Sequence, residues 1–227
     1  VMSPERDKAW SRERARDSGD TFAAIIEKTR KTGADCLFIA GDLFHRQPLQ
    51  KDLKEVNYLF STIPGVRVII IAGNHDRIRL SSAVLSFSWC PNVTFIDSEE
   101  LTSYYFRDIN TEVTGLSYHT AEITEPRLNQ AYAPHDGRIH ILIGHGGDLN
   151  HTPIDKAALA DSGFSYIALG HIHKPEVLIE RKMAYCGSPE PLDKTETGAH
   201  GIFYGEINPS TLLVTKLEFI PMSKLRY

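Results

Sequence analysis

No two cysteines stand at Cys-x-x-Cys spacing in this 227-residue chain, and its three cysteines, Cys36, Cys90 and Cys186, are far apart and odd in number. That argues against both a zinc knuckle and a disulfide framework. Two of the three sit in apolar, strand-like contexts, which suits reduced thiols and a cytoplasmic setting. No run of about 18 apolar residues occurs, so no transmembrane helix and no membrane partner are expected. The opening residues are strongly charged and carry no signal-peptide core. Positive charge is not in excess either: 25 Lys and Arg against 29 Asp and Glu give a formal net charge of -4. Whole-chain basicity therefore announces no nucleic acid, and any positive field for one must come from a local patch or a partner. Internal repeats, low-complexity tracts and clear linkers are also lacking, and the length suits one large domain, or one domain plus a short appendage.

What is present is the composition of an ordinary globular protein, 41% hydrophobic and 24% charged. Val1 to Arg16, with Pro4 and Trp10, reads as a polar surface loop. From about Asp20, Phe22, Ile25, Ile26 and Thr29 fall at helical spacing, with Gly33 as the stop. Cys36 to Ala40 is an apolar strand, expected to be buried on both faces. Leu53, Val56, Leu59 and Phe60 mark a second helix ended by Pro64-Gly65, and Val66 to Ala72 a second buried strand. Helix, strand, helix, strand implies parallel crossovers and an α/β sheet. Further on, Ser81 to Phe87 reads as a short helix, Val93 to Ile96 as a strand, Ser103 to Phe106 with Val113 to Leu116 as a hairpin-like pair, and Arg127 to Gly137 as a loop. Ile139 to Ile143 and Tyr166 to Leu169 are the third and fourth apolar strands, with a short helix at Ala157 to Ala160 between them. From Val177 the pattern alternates like antiparallel strands, with Asn208-Pro209 as a turn.

Four strand ends carry unusual polar groups, each behind a glycine: Asp42, Asn74 with His75, His145, and His171 with His173. Alone, Asp42 could cap the following helix, and a single histidine at a strand end is usually structural. Four coincidences point instead to a ligand at the carboxyl ends of the strands. Oxygen and imidazole donors without thiolate suit Mn²⁺, Fe²⁺ or Zn²⁺ and fit an all-oxygen calcium cage poorly. On a turn, His171 and His173 can diverge toward two neighbouring ions. A carboxylate such as Asp42 has two oxygens and can bridge a pair of ions about 3.5–4 Å apart.

Gly41-Asp42, Gly73-Asn74-His75-Asp76, Gly144-His145-Gly146 and Gly170-His171-Ile172-His173 together resemble motifs two to five of the calcineurin-like metallophosphoesterases, in family order. More narrowly, Gly41-Asp42-Leu43-Phe44-His45, the run Gly170 to Pro175 and the run Tyr185 to Leu192 resemble the SbcD-type double-strand-break repair nucleases. The resemblance implies a four-layer α-β-β-α sandwich of two mixed sheets flanked by helices, over residues 1–220, with 221–227 beginning a connection to a capping region. It implies two divalent metal ions, Mn²⁺ first, bridged by Asp42. One ion takes Asp42, Asn74, His145 and His171; the other takes Asp42 and His173. It implies phosphodiester hydrolysis by a metal-activated hydroxide, with His75 as the catalytic imidazole that is not a ligand and His45 touching the substrate phosphate. Asp76 orients a neighbour or serves only as a turn residue. The family's first motif, an Asp-x-His on the first strand, is not found before Asp42, so a chain that begins just after that motif is expected.

The resemblance also implies DNA as substrate, an SbcC-like ABC-type ATPase as partner and a homodimer. Arg46, Arg77 and Lys174 are the candidate phosphate contacts, with Arg79, Arg181 and Lys182 flanking the same loops. Two other readings stay open: a small phosphodiester or phosphoprotein as substrate, and a catalytically incomplete scaffold subunit. His119, His135, His140, His151 and His200 lie outside the glycine-histidine pattern and are expected to be structural.

Overall fold

A computed structural model describes the backbone of residues 4–227 and the side chains of residues 16–227. The expected loop over 1–16 is a helix from Pro4 onward, and its first three residues lie outside the described ones. Helix α1 runs Pro4–Thr32. Proline loses nothing at a helix start, where its missing N–H has no intrahelical partner, and the Glu, Arg, Lys and Ala that follow are strong helix formers. The helix stops at Gly33, whose φ of +64° breaks the spiral.

The chain then alternates as expected: β1 Cys36–Ala40, α2 Gln50–Ser61, β2 Arg67–Ile71 and, after a 3₁₀ turn Ala83–Ser86, β3 Val93–Ile96. These strands form one sheet in the order β1-β2-β3, parallel throughout, with Leu37 beside Val68 and Val68 beside Val93. β1 is half-buried at every residue, not buried on both faces as expected. Among the described residues it has a sheet neighbour on one side only, β2.

The second sheet is mixed. β4 Thr102–Phe106, β5 Thr111–Gly115, β6 Ile139–His145, β7 Tyr166–Gly170, β8 Glu176–Ile179 and β9 Met183–Tyr185 stand in the order β4-β5-β6-β7-β9-β8. Four of them, β5, β6, β7 and β9, are parallel neighbours, with β4 and β8 antiparallel at the edges. The antiparallel pairing expected from Val177 holds for β8 with β9 and for β10 with β11, but β9 also joins β7 in parallel. The chain leaves β7, turns back through β8 and re-enters beside β7 in the original direction. Helix α3, Lys156–Ala160, lies between β6 and β7 and is capped by Asp155, whose side chain accepts from the amides of Ala157 and Ala158. β10 Gly201–Ile207 and β11 Val214–Pro221 form a separate antiparallel hairpin.

Period-two alternation builds the layers. Ile69 and Ile71 of β2 face Ile139, Ile141 and Ile143 of β6 in the core between the sheets. Val68 and Ile70 point the other way, under Ile26 of α1 and Phe60 of α2. Leu142, Ile167 and Leu169 pack outward with Leu128, Leu159 and Phe164. This is the α-β-β-α sandwich, with a thin outer layer over the second sheet. Among the described residues, no helix is long and apolar enough to cross a membrane.

Candidate metal centre

Parallel strands from both sheets end on one side of the sandwich, and that is where the polar groups gather. Gly41 and Asp42 follow β1, Gly73 and Asn74 follow β2, His145 is the last residue of β6, and His171 follows β7. The strand ends approach so closely that two glycines are obligatory. At Gly41, φ +82°, a Cβ would lie 2.4 Å from His145 Nδ1, and at Gly170 it would lie 2.0 Å from the Ala40 carbonyl oxygen of the other sheet.

The centre of the group is His145. Its Nδ1 lies 2.8 Å from the Ala40 carbonyl oxygen, which can only accept, so Nδ1 carries a proton and Nε2 is the nitrogen turned toward the other polar groups. That Nε2 stands 3.0 Å from Asn74 Oδ1 and 3.3 Å from Asp42 Oδ2. The imidazole nitrogen and the two oxygens converge on one point, where a single cation can take all three. Asp42, His145 and His171 each offer one ligand atom, all within 4.8 Å of one another. Burial raises the Asp42 carboxyl, but the His145 side chain and the His75 amide, which donates to Oδ1 at 2.9 Å, outweigh it and hold the group below its ordinary range. It is an anion ready for a metal. Hard oxygen and imidazole donors fit the divalent ions that the sequence suggested.

The structure brings Asp42, Asn74, His145 and His171 together. Among the described residues His173 joins no group of three candidate ligands so close; its Nδ1 lies 2.6 Å from Glu196 Oε1. His45 and His75 stack with ring centroids 4.9 Å apart. Both line a cavity of about 550 Å³ with Arg46, Arg77, Arg79 and Asn74. Lys174 lines a different cleft, beside Val177 and Phe219, and so stands apart from the other two candidate phosphate contacts.

Asp76 is both of the things expected of it. Buried, it accepts from Gly73 N at 2.8 Å and Phe44 N at 3.1 Å, closing its own turn and tying it to the loop after β1. Burial, then the nearby Asp42 charge, push its carboxyl up to about 6 against the pull of those two amides.

His151, expected to be structural, is held by Asp148 at 2.9 Å and also lies against the site, with its ring centroid 4.4 Å from that of His171. The loop 146–151 folds back because Gly146 and Gly147 adopt φ of +145° and +124°, and Gly147 N donates to His151 O at 2.7 Å. With it comes Asp148, which the sequence reading missed. Among the other four, His119, His140 and His200 are held by Asp97, Asp136 and Ser188. Tyr118 was also missed. Fully buried, it donates to the His145 carbonyl at 3.0 Å and pins the end of β6.

Such a sandwich, with donors from both sheets gathered at its strand ends, defines a metal-dependent phosphoesterase class, and comparison with known families agrees. The model of the calcineurin-like phosphoesterase family matches residues 16–175, more than half of the sequence, and the chain belongs to that family. Among curated relatives it is 29% identical over 208 residues to an uncharacterized metallophosphoesterase YhaO of Bacillus subtilis, covering 83% of this chain and 50% of that protein. It is 29% identical over 231 residues to the DNA double-strand break repair protein Mre11 of Methanopyrus kandleri, covering 88% and 51%. To the protein of the same name from Methanocaldococcus jannaschii it is 28% identical over 198 residues, covering 81% and 53%. The chain thus spans about half the length of the curated relatives it matches.

Proposed function

We propose that this chain is the phosphoesterase domain of a metal-dependent DNA nuclease of the SbcD type, hydrolysing phosphodiester bonds in double-strand-break repair. The observation that carries the reading is the arginine-lined cavity immediately beside the converging ligands. Arg46, Arg77 and Arg79 share that wall with His45 and His75, and no carboxylate among the described residues pairs with any of the three. A row of guanidinium groups suits successive phosphates of a polyanion better than one small phosphoester. The relatives named for double-strand break repair point the same way.

Two divalent ions, Mn²⁺ by preference, would supply Lewis acidity and a nucleophile at neutral pH. Asp42, Asn74, His145 and His171 are suited to hold one of them, and Asp42 with His173 contributes to the other. The arginines draw the phosphate backbone to the strand ends, and His75, steadied by the His45 ring, gives a proton to the leaving oxygen. An ABC-type ATPase of the SbcC kind and a second copy of the chain are proposed partners.

The test is cleavage of linear duplex DNA against bis-p-nitrophenyl phosphate by the full-length polypeptide with Mn²⁺. The expected result is DNA cleavage abolished by EDTA. Hydrolysis of the small ester with DNA untouched would replace the nuclease reading with that of a small-phosphodiester enzyme. Inertness toward both would leave the scaffold reading.

A further inference from the structure

One ring nitrogen of His171 and one of His173 are held by carboxylates to which neither the sequence motifs nor the ligand set gives a role. Asp148 Oδ2 lies 2.8 Å from His171 Nε2, and Glu196 Oε1 lies 2.6 Å from His173 Nδ1. Both carboxylates are themselves fixed. Asp148 Oδ1 accepts from the amides of Asn150 at 2.8 Å and His151 at 2.9 Å, with His151 Nδ1 a further 2.9 Å contact. Glu196 Oε2 accepts from Leu192 N at 2.9 Å and from the Ser188 hydroxyl at 3.3 Å.

From this we infer that Asp148 and Glu196 are positioning residues: each takes the ring N–H of one histidine, so that the opposite nitrogen, Nδ1 of His171 and Nε2 of His173, is the one free to bind metal. The inference rests on the metal reading above. Its logic is that of His145, where the Ala40 carbonyl does the same work. An anionic acceptor fixes tautomer and ring orientation and raises the basicity of the ligating nitrogen. It also gives the run Tyr185 to Leu192 a role. Ser188 N donates to the His173 carbonyl at 2.9 Å while Ser188 and Leu192 aim Glu196 at the ring, so this segment grips His173 from both backbone and side chain. A separate ion among Asp148, His151 and His171 is geometrically conceivable, since their ligand atoms also lie within 4.8 Å. It would take from His171 the nitrogen that Asp148 already holds.

The experiment titrates metal-free full-length protein with Mn²⁺, following free ion by electron paramagnetic resonance, for wild type, Asp148→Ala, Asp148→Asn, Glu196→Ala and Glu196→Gln. Long-range ¹H–¹⁵N spectra of the ¹⁵N-histidine-labelled, metal-free proteins report the ring tautomers, and circular dichroism reports folding. The expected result is affinity weakened about 10–100-fold in the alanine variants. Partial recovery is expected in Asn and Gln, whose carbonyl oxygen still accepts, and His171 and His173 should lose their single tautomers in the alanine variants. Folded variants that bind Mn²⁺ like wild type with unchanged tautomers overturn the inference and leave the metal reading standing. Loss of one whole ion from the stoichiometry in Asp148→Ala, with the rest bound as before, makes Asp148 a direct ligand and overturns it too. Wild-type protein that binds no Mn²⁺ overturns the metal reading itself.

Discussion

Asp42 and His171 both hold left-handed backbone conformations, with φ of +51° and +88°. Residues with a Cβ avoid that region, and each such placement costs on the order of 1–3 kcal/mol unless the surroundings enforce it. Here they do: the His75 amide and His145 grip Asp42, and Asp148 grips His171. Two of the six described non-glycine residues with positive φ are thus expected ligands, and His75, expected to work without binding metal, is not among the six. His75→Ala should therefore leave Mn²⁺ affinity intact while hydrolysis falls by about 10²–10⁴, the range for loss of a general acid. Parallel metal titration and rate measurement check this, and loss of metal would mean that His75 is itself a ligand. Asp42, Asn74, His145 and His171 were legible because each follows a glycine at the end of an apolar run. Asp148 and His151 were not. They come from a loop whose return is set by backbone hydrogen bonds and two glycines, and Gly146-Gly147-Asp148 reads along the sequence as an ordinary turn.

Among the elements, the loops after β1 and β2 act as one unit. Asp76 joins them through Gly73 and Phe44, and Gln47 reinforces the joint by donating to the Arg77 carbonyl at 2.7 Å while accepting from Ser82 at 2.6 Å. Asp76→Ala would strand two amides, each costing about 1–3 kcal/mol where buried. Thermal unfolding should show a clearly lowered Tm, and Mn²⁺ affinity should drop as Asp42 and Asn74 lose register; an unchanged Tm would mean that water replaces the carboxylate without cost. The strands here could be read from sequence because long apolar runs between glycines have few other uses. The first half of α1 could not be. Its residues carry helix propensity but no apolar stripe, and hydrophobic periodicity gives no signal in a sequence without one. Nor does a short run such as Met183 to Tyr185 show its direction, which the return through β8 decides.

For the whole molecule, the decisive fact is that the candidate ligands are divided between the sheets. Asp42 and Asn74 extend from the parallel three-stranded sheet, His145 and His171 from the mixed one, and the sheets meet there chiefly through close backbone approach and the Ala40–His145 contact. An ion bound to all four ties the sheets together, so its binding energy becomes folding energy. At a free Mn²⁺ concentration 100 times Kd, linkage gives about 2.7 kcal/mol. For a chain of this length that should raise Tm by roughly 5–10 °C, reversed by EDTA. Hydrogen exchange sharpens the test. Protection should rise at the carboxyl ends of β1 and β2 and of β6 and β7 alike, because the constraint acts across the layers. A rise confined to β6 and β7 would mean that the ion sits on the histidines alone. Asp42 would then be a neighbour of the metal and not the residue around which the two sheets close.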